Sequence, residues 1–549
     1  MRAWRLPIIV VLLACIAGAV AYEQRSGVDE VTTAPSDLAR LMPVVPGPGA
    51  SRSTWFCAGG SATGQDDGVA EQTVTVLNAG DAASSVVLTA MTDTGARARR
   101  DVQVGPAERI DVPVSDLIEA EWAGVLVEAD RPEVAVEHRV AGPGGDAVAA
   151  CSSRAEGTWY VPSAPTRAGV RQLLVVFNPF PDDAVVDLRF ETDDGTRTPE
   201  EYRPKLVRGG HVAVLDISAS VTLREQVSAV LVARAGRVAV DAISIWDGTD
   251  DGPVGITLTP GAPAVAAQWL FAEGAPVAAD QIQQLVAFNP DEEEADGEVI
   301  VVADGGEPIE PFAMVVRPEA YTVVDVAGDR RLPATGGYWA DAAVYRGPAV
   351  AVGRLLSGGG GAPGISAGLG SPLVASRWLV PTAGLDGVRG NQLLVANPTA
   401  AAVTVQVDVL RDGRRTPLDD PVQIPAGARA VIDLGDVDDA ERASIDLRAD
   451  GAVVVEHKLA TDDGFSVGLA LPVDGTIAAP PAPEPPDVSA PVGTGLPPDI
   501  EVPGTTPGTS PGTVPGTTAS VPVPSSDTTV APAPAPSSTA APTSVVPPG

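Results

Sequence analysis

The chain has 549 residues, a formal net charge of −35 and 4% aromatic residues, with 58 Gly and 53 Pro. Its length allows about three to five domains. Its excess of acidic residues argues against nucleic-acid binding, which relies on Lys and Arg to neutralise phosphates. With three His and three Cys, the sequence has little material for a metal cluster or for His-based acid–base chemistry. We therefore assign no catalytic, cofactor-binding or metal-binding residue.

The first residues have the pattern of an export signal. Two arginines precede an uncharged run over 6–22, which ends in an A-x-A cleavage site. We predict a signal peptide or membrane anchor at 1–22 and a linker at 23–54, and lipidation at Cys15 is a third alternative. Each alternative places the body of the protein outside the cytoplasm, either secreted or anchored to the cell membrane by this segment.

The strongest signal in the sequence is an internal repeat that opens with tryptophan. The opening residues recur every 104 to 110 positions: Trp55, Trp159, Trp269 and Trp378. A strand ending in asparagine follows each of them: Asn78, Asn178, Asn289 and Asn397. In the last three repeats proline comes next, which indicates a turn because the residue before proline avoids the helical region. We expect the opening tryptophans to pack in hydrophobic cores.

The residues after each asparagine alternate strictly between apolar and polar side chains. In the second repeat, for example, Val186, Leu188 and Phe190 alternate with Asp187 and Arg189. A period of two predicts strands with one buried and one solvated face.

Roughly seven such strands per repeat, with no amphipathic helix, predict an all-β fold of four tandem immunoglobulin-like β-sandwich units. The predicted units are 55–157, 158–267, 268–376 and 377–474. A β-propeller is the alternative. We expect the units to fold separately, like modules on a string.

The C-terminal residues 475–549 have a different composition. They contain no aromatic residue and no Lys or Arg, and Pro-Gly-Thr recurs every four residues from Pro503. Such a composition buries too little apolar surface to offset the entropy of ordering the chain. We predict a disordered Pro/Thr/Ala-rich tail with polyproline II character.

Several segments of the repeats resemble a known family. They are Trp269-Leu-Phe-Ala-Glu-Gly274, the Phe-Asn-Pro turn, Pro425-Ala-Gly-Ala-Arg429 and Val453-Val-Val-Glu456. From Trp55 to about Asp474 the chain resembles the secreted or membrane-anchored actinobacterial family catalogued as domain of unknown function 5719, which is built of repeated extracellular β modules. That family has no assigned reaction, so the resemblance implies a location and a fold.

Two cysteines remain outside the export segment, Cys57 on the opening strand of the first unit and Cys151 on its closing strand. In an oxidising compartment we predict a disulfide between them. The matching opening positions in the other units carry Val161, Phe271 and Val380, so this bridge is specific to the first unit.

Three patterns that could indicate chemistry have structural interpretations. Two Gly-x-Ser-x-Gly matches contain Ser366 and Ser466, but they occupy equivalent repeat positions with no following helix. The pairs Glu137-His138 and Glu456-His457 are interpreted as exposed strand residues, because neighbours on a strand point to opposite faces. Acidic clusters such as 291–294 are interpreted as solvated turns, with weak calcium binding as the alternative.

We therefore predict a non-enzymatic extracytoplasmic protein of the cell envelope, with a structural or scaffolding role and no cofactor. The expected partners are envelope proteins or wall polymers, not nucleic acid, with membrane contact only through the N-terminal segment. A carbohydrate- or wall-polymer-binding protein is one alternative; it would use Trp122, Trp246 or Trp339 as a surface aromatic. An accessory subunit of an envelope enzyme is another. A hydrolase using Ser366 or Ser466 is the least favoured hypothesis.

Overall fold

The computed structural model describes residues 37–482 except 65–68, 143, 163, 276–277, 279–280, 306–307, 333–334, 359–362, 383, 386, 436 and 438–441. The predicted export segment and nearly all of the predicted tail lie outside the described residues. Strands dominate the described residues, which confirms the predicted all-β fold; immunoglobulin-like connectivity stays a prediction. None of the described helices is long and apolar enough to cross a membrane.

The first two units contain seventeen strands. Unit 1 consists of β1 (Ser53–Ala62), β2 (Glu71–Asn78), β3 (Ser84–Thr92), β4 (Arg97–Val104), β5 (Glu108–Pro113), β6 (Ala120–Ala129), β7 (Val134–Gly142) and β8 (Gly145–Ala150). Unit 2 consists of β9 (Thr158–Pro162), β10 (Val170–Asn178), β11 (Ala184–Thr192), β12 (Gly195–Arg197), β13 (Lys205–Val207), β14 (His211–Asp216), β15 (Val227–Ala235), β16 (Ala239–Asp247) and β17 (Val254–Pro260).

The last two units follow the same pattern. Unit 3 consists of β18 (Gln268–Phe271), β19 (Gln283–Asn289), β20 (Ala295–Ala303), β21 (Phe312–Val316), β22 (Ala320–Asp325), β23 (Tyr338–Arg346), β24 (Ala351–Ser357) and β25 (Ile365–Leu369). Unit 4 consists of β26 (Val374–Val380), β27 (Gly390–Ala396), β28 (Val403–Arg411), β29 (Arg414–Pro417), β30 (Val422–Ile424), β31 (Arg429–Asp433), β32 (Ser444–Ala460) and β33 (Phe465–Leu469). The short strands β34 (Leu471–Pro472) and β35 (Ile477–Ala478) follow.

The described helices are short and lie between strands or before the first one. They are one α-helical turn, α1 (Ile217–Ser220), and the 3-10 helices Asp37–Arg40, Val114–Asp116, Glu200–Tyr202 and Thr249–Asp251.

Each unit is a sandwich of two antiparallel sheets with a hydrophobic core between them. The sheet that contains the opening tryptophan, which we call the Trp sheet, has the order β1-β6-β3-β4 in unit 1 and β9-β15-β11-β12 in unit 2. The other, the closing sheet, ends in the last strand of the unit, with the orders β5-β2-β7-β8 and β14-β10-β16-β17. Units 3 and 4 repeat this arrangement, and β32 contributes to both sheets of unit 4.

The repeated tryptophan and asparagine side chains hold equivalent places in all four sandwiches. Every opening tryptophan is at most 1% exposed, and its indole N–H donates to a main-chain carbonyl, for example from Trp55 to Val134 at 2.9 Å. This confirms their predicted core role. Each buried asparagine bridges its own turn and a carbonyl about 27 residues later, as Asn289 does with Glu293 and Val316. The asparagines therefore tie each turn to the core.

The four sandwiches do not stay separate as expected, because the described residues belong to a single compact unit. The last strands of the four closing sheets, which we call the closing strands, are β8, β17, β25 and β33. Each contacts the closing strands of the preceding and following units, and β33 of unit 4 contacts β8 of unit 1, so the contacts form a closed cycle. Glycines permit the approach: a Cβ on Gly144, whose φ is +90°, would lie 2.9 Å from the Cα of Gly255. Sequence periodicity did not reveal this packing because it does not say what covers the outer face of a sheet.

Residues 42–46, which precede β1, lie between units 4 and 1 and contact both. The N–H of Val45 donates to Pro472 at 2.9 Å, and Asp474 donates back to Val45 at 2.8 Å. On the other side Glu133 donates to Pro46. Val45 is fully buried. Part of the predicted linker 23–54 thus belongs to the fold, because its apolar residues fill the gap between the first and last units.

The fold extends slightly beyond the predicted limits of unit 4. Strand β26 begins at Val374, just ahead of the predicted start of unit 4 at 377. Beyond the predicted end of unit 4, β35 pairs with β26, so the fold continues past 475.

The predicted disulfide between Cys57 and Cys151 is present, with an S–S distance of 2.05 Å. It ties β1 to the segment that follows β8, where Phe56 pairs with Ser152. At the matching place in unit 2, a Cβ on Gly261 would lie 2.9 Å from the Trp159 ring, so glycine leaves room for the core there. The bridge is therefore a local feature of unit 1 added to a shared packing scheme.

Candidate functional site

The units meet at four junctions, and three of them contain a buried carboxylate at one repeated position. The carboxylate lies on the penultimate strand of one unit and accepts a main-chain N–H just after the opening tryptophan of the preceding unit. Asp241 of unit 2 accepts from Ala58 at 2.9 Å, and Glu456 of unit 4 accepts from Glu273 at 2.6 Å. Glu137 of unit 1 accepts from Thr382 of unit 4 at 3.0 Å, which closes the cycle. We call Asp241, Glu456 and Glu137 the junction carboxylates.

A basic side chain from the preceding unit lies beside two of these carboxylates. His138 Nε2 of unit 1 is 3.4 Å from Asp241 Oδ2. Arg354 of unit 3 makes a bidentate pair with Glu456, at 2.8 and 3.0 Å. His138 and Arg354 each stand one residue after the position that the junction carboxylate has in their own unit. A pair of adjacent residues such as Glu137-His138 therefore contributes its first side chain to the junction with the preceding unit and its second to the junction with the following unit. Neighbouring strand residues do point to opposite faces, but each face meets another unit or its own core.

The predicted exposure of the Glu137-His138 and Glu456-His457 pairs is wrong. Glu137 and Glu456 are 4% and 1% exposed, and His138 and His457 are 0% and 7% exposed. Removal from water raises the pKa of Glu137 and of Asp241 to about 7. The same burial lowers the pKa of His138 and of His457 to about 3. At neutral pH both imidazoles are uncharged, so they pack as polar but neutral side chains.

Junction 3–4 carries a buried ionic cluster around Glu273. Glu273 Oε1 lies 2.7 Å from Lys458 Nζ, and Arg429 reaches Glu273 at 3.3 Å. Arg354 also donates to the Glu273 carbonyl at 2.6 Å. These cations hold the pKa of the Glu273 carboxyl below its usual value despite the opposing effect of burial. The cluster is fully paired, which makes it a rigid connection between units.

Junction 2–3 differs from the other three. In unit 3 the position of the junction carboxylate is occupied by a glycine, Gly353. In unit 2 the position of the basic side chain is occupied by an alanine, Ala242. A Cβ on Gly353 would lie 2.9 Å from the carbonyl oxygen of Pro162, so the two strands approach through their backbones. The acid and the base are both missing, which avoids leaving either charge buried without a partner.

Beside this junction lies an open cleft of about 510 Å³, which we call cleft 2–3. One wall is the outer face of the unit 2 Trp sheet, with Tyr160, Asp187, Arg189 and Val232. The other wall comes from unit 3 and the segment leading to it, and it includes Pro290, Asp291 and Pro348. Arg203 of unit 2 also lines the cleft. This volume is within the range of about 300–1,000 Å³ that is typical of ligand sites.

The polar groups of cleft 2–3 are partly paired across the junction. Arg189 donates to the Pro290 carbonyl of unit 3 at 3.0 Å and pairs with Glu319. Arg189 Nε lies 3.0 Å from Glu191 Oε1, which is close enough for an ion pair. The angle between them does not allow a hydrogen bond, and neither atom has another hydrogen-bond partner among the described residues. Burial raises the pKa of the Tyr160 phenol, the Arg189 charge lowers it and the Asp291 charge raises it.

Two charged side chains on this wall are partly open to the cleft. The side chains of Asp187 and Arg189 are 24% and 30% exposed. Asp187 Oδ2 accepts from Arg234 at 2.7 Å, whereas its buried Oδ1 has no hydrogen-bond partner among the described residues and carries a desolvation cost.

Part of this chain is similar to a known protein family. Residues 128–329 match a family of unknown function, DUF5719. The DUF5719 match supports the resemblance noted in the sequence and contains both Tyr160 and Pro290, one from each wall of cleft 2–3.

The other comparisons add no argument. No curated protein matches the sequence. A tetra-tandem repeat from the extending region of a large adhesion protein is 12% identical, with 75% of this chain and 98% of that chain covered and a TM-score of 0.10. A glycoside hydrolase family 32 structure from Bifidobacterium adolescentis is 11% identical, with 77% and 97% covered and a TM-score of 0.13. TM-scores this low carry no conclusion about fold or function.

The serines of the two Gly-x-Ser-x-Gly matches lie on β25 and β33, in the central cycle of closing strands. Ser366 Oγ accepts the N–H of Val467 of unit 4 at 2.9 Å. Ser466 Oγ accepts the N–H of Val148 of unit 1 at 3.1 Å. Each hydroxyl therefore bridges two units, and neither serine is at the strand-to-helix turn that a nucleophile elbow requires.

The three tryptophans considered for sugar binding are buried. Trp122 is 7%, Trp246 2% and Trp339 5% exposed, and Trp339 donates across junction 3–4 to Gly427 at 2.8 Å. They are not surface platforms, because the outer faces on which they lie are covered by the next unit. Among the residues that the structure describes, no group of three or more His, Cys, Asp or Glu could hold a metal ion.

Sequence reasoning missed cleft 2–3, although one signal was present. The change from an acid–His pair in units 1 and 4 to Gly353-Arg354 in unit 3 marks the junction that differs. The polar face of β11, with Asp187 and Arg189, was visible as alternation. Its position against unit 3 required the packing of the units.

Proposed function

We propose that this protein is a non-enzymatic, extracytoplasmic component of the cell envelope that serves as an interaction scaffold. In this proposal it is secreted or anchored through its N-terminal segment and belongs with the secreted actinobacterial members of DUF5719. The observation that carries the proposal is the contrast among the junctions. Three are filled by buried carboxylates or ion pairs, while cleft 2–3 leaves polar and apolar side chains open to a partner.

The closed cycle of units supports a role in presenting this cleft. Its walls come from two different sandwiches, and both sandwiches are held by further junctions on their other sides. A cleft whose walls are held in place loses little conformational entropy when a partner binds, which favours affinity.

A photocrosslinking experiment in intact cells tests the scaffold role. A photoreactive residue replaces Val232, which is 44% exposed in cleft 2–3, and separately replaces Val431, which is 46% exposed on unit 4. We expect irradiation to give a higher-mass adduct with an envelope component from position 232 and little from position 431. Equal yields at the two positions, or no adduct at 232, would contradict the proposal.

The location is tested separately. Protease added to intact cells should degrade the units if they lie outside the cytoplasm, and N-terminal sequencing of the mature protein should show whether 1–22 is removed. Protection of the units until the cells are lysed would contradict an extracytoplasmic location.

Carbohydrate or wall-polymer binding is the second candidate function. The tryptophans first considered for it are buried, but the half-buried Tyr160 lies in cleft 2–3 beside a carboxylate and a guanidinium group. Aromatic rings beside polar groups that can hydrogen-bond are suited to ligands with an apolar face and a polar rim.

A further inference from the structure

We propose that cleft 2–3 binds a segment of an uncharged oligosaccharide. The inference deepens the scaffold proposal and rests on it, since it names the chemistry of the component that the cleft would hold.

The cleft is divided into an apolar part and a polar part. Tyr160, Val230 and Val232 come from neighbouring strands of the unit 2 Trp sheet and provide an apolar floor. Val232 remains 44% exposed, whereas most valines of this sheet are buried. Pro290 and Pro348 face this floor from unit 3. A sugar ring presents a face of C–H groups that can cover such a floor.

Hydrogen-bonding groups of both kinds face the cleft. The side chains of Asp187 and Arg189 are 24% and 30% exposed, and they supply an acceptor and a donor. A hydroxyl group donates and accepts at the same atom, so neighbouring sugar hydroxyls can serve both groups. Hydrogen bonds to charged groups are stronger than neutral ones, which favours a ligand that makes both.

The charges of Asp187 and Arg189 are already paired within the protein. The Asp187 carboxylate is balanced by Arg234, and the Arg189 guanidinium is balanced by Glu191 and Glu319. A charged polymer would therefore leave its own charge without a counter-ion at these two groups. Anionic polymers would also meet the field of a chain with a net charge of −35. An uncharged ligand avoids both costs.

The two walls of the cleft are held in place relative to each other. Arg189 of unit 2 donates to Pro290 of unit 3, and the bridge between Ala266 and Val350 holds the connecting segment against unit 3. The distance between the floor and the prolines is set before a ligand arrives, which reduces the ordering cost of binding.

The test uses isothermal titration calorimetry on the purified full chain. The probes are tetramers of N-acetylglucosamine, glucose and mannose, an anionic hyaluronan tetramer, and uncharged ten-residue peptides. We expect at least one uncharged tetramer to bind and the anionic tetramer not to bind. Asp187→Asn should weaken that binding by about tenfold or more, because it alters a charged acceptor. Tyr160→Leu should weaken it as well.

The matched control is Asp296→Asn. Asp296 holds a similar place on the third strand of the unit 3 Trp sheet and pairs with Arg346 at 2.6 Å, as Asp187 pairs with Arg234. It should leave binding unchanged. Since Tyr160→Leu removes packing, circular dichroism and thermal melting of each variant establish that it is folded; Asp187→Asn keeps the size of the side chain, so the test does not depend on Tyr160.

Three outcomes would overturn the inference: no binding of any uncharged tetramer, unchanged binding in Asp187→Asn, or binding of the peptides in place of the sugars. If sugar binding fails but crosslinking from position 232 succeeds, the ligand class is wrong and the scaffold proposal stands. If both fail, the scaffold proposal fails as well.

Discussion

Junctions 3–4 and 2–3 are built from the same repeated strands, yet buried ion pairs fill junction 3–4 and an open cleft lies beside junction 2–3. At junction 3–4, Glu456 and Arg354 are 1% and 6% exposed and fully hydrogen-bonded. At junction 2–3 the two matching positions are Gly353 and Ala242. The comparison shows that the same repeated strands pack through buried ion pairs where the acid and the base are present, and through close backbone contact beside an open cleft where both are absent.

Breaking the pair at junction 3–4 should have the largest effect. Arg354→Ala leaves Glu456 buried without its bidentate partner and removes a donor to the Glu273 carbonyl. We expect the free energy of unfolding, measured by urea titration, to fall by about 3–5 kcal/mol.

The control for this prediction is Arg346→Ala, which breaks a pair with Asp296 on the surface. Exposed pairs contribute about 0–1 kcal/mol, so this variant should be close to the parent protein. Equal losses in the two variants would mean that burial of the pair at junction 3–4 does not determine its contribution.

The second effect is a pH dependence at junction 4–1. The pKa of Glu137 is about 7 in the folded protein, mainly through burial; Arg109 and the Thr382 N–H lower it and Asp111 raises it. A carboxyl with a raised folded-state pKa stabilises fully below its unfolded pKa, near 4.5, and loses that contribution as pH rises through about 7. Glu137→Gln mimics the protonated form. It should therefore exceed the parent protein in unfolding free energy by about 3 kcal/mol at pH 8, and the two should be nearly equal at pH 4.5.

Urea titrations at pH 4.5, 6 and 8 measure this difference. Asp241→Asn is a second test, because burial also raises the pKa of Asp241 to about 7. His138 faces position 241 in both the variant and the parent protein, so its own titration cancels in their difference. The advantage of Asp241→Asn over the parent protein should therefore also grow as pH rises through about 7. A constant difference between Glu137→Gln and the parent protein at all three pH values would contradict the prediction.

The smallest effects belong to the open junction. Gly353→Ala places a Cβ 2.9 Å from the Pro162 carbonyl oxygen, so we expect the free energy of unfolding to fall by about 1–3 kcal/mol and the cleft to be altered.

Glu319→Gln removes one charged partner of Arg189 at a site that is 40% exposed, so it should lower the free energy of unfolding by less than about 1 kcal/mol. Thermal melting of both variants measures the order of these effects. A larger loss in Glu319→Gln would show that ion pairs, and not backbone approach, hold junction 2–3.

The repeat itself could be predicted well because its signals are local. Alternation along β11, the turn after Asn178 and the burial of Trp159 each depend on residues close in sequence or on hydrophobicity alone. The disulfide also followed from the sequence, since Cys57 and Cys151 were the remaining pair and lay on the first and last strands of one unit.

The strands, the sandwiches and their tryptophan cores could thus be predicted from local residue patterns. The packing of the units was needed to see that Glu137 and His138 are buried, that Ser366 and Ser466 bridge units, and that residues 42–46 fill the gap between the first and last units. The physical reason is that a polar residue on the outer face of a strand has the same local pattern whether it meets water or another unit. Which of the two it meets depends on contacts between residues more than a hundred positions apart, such as Glu137 and Thr382.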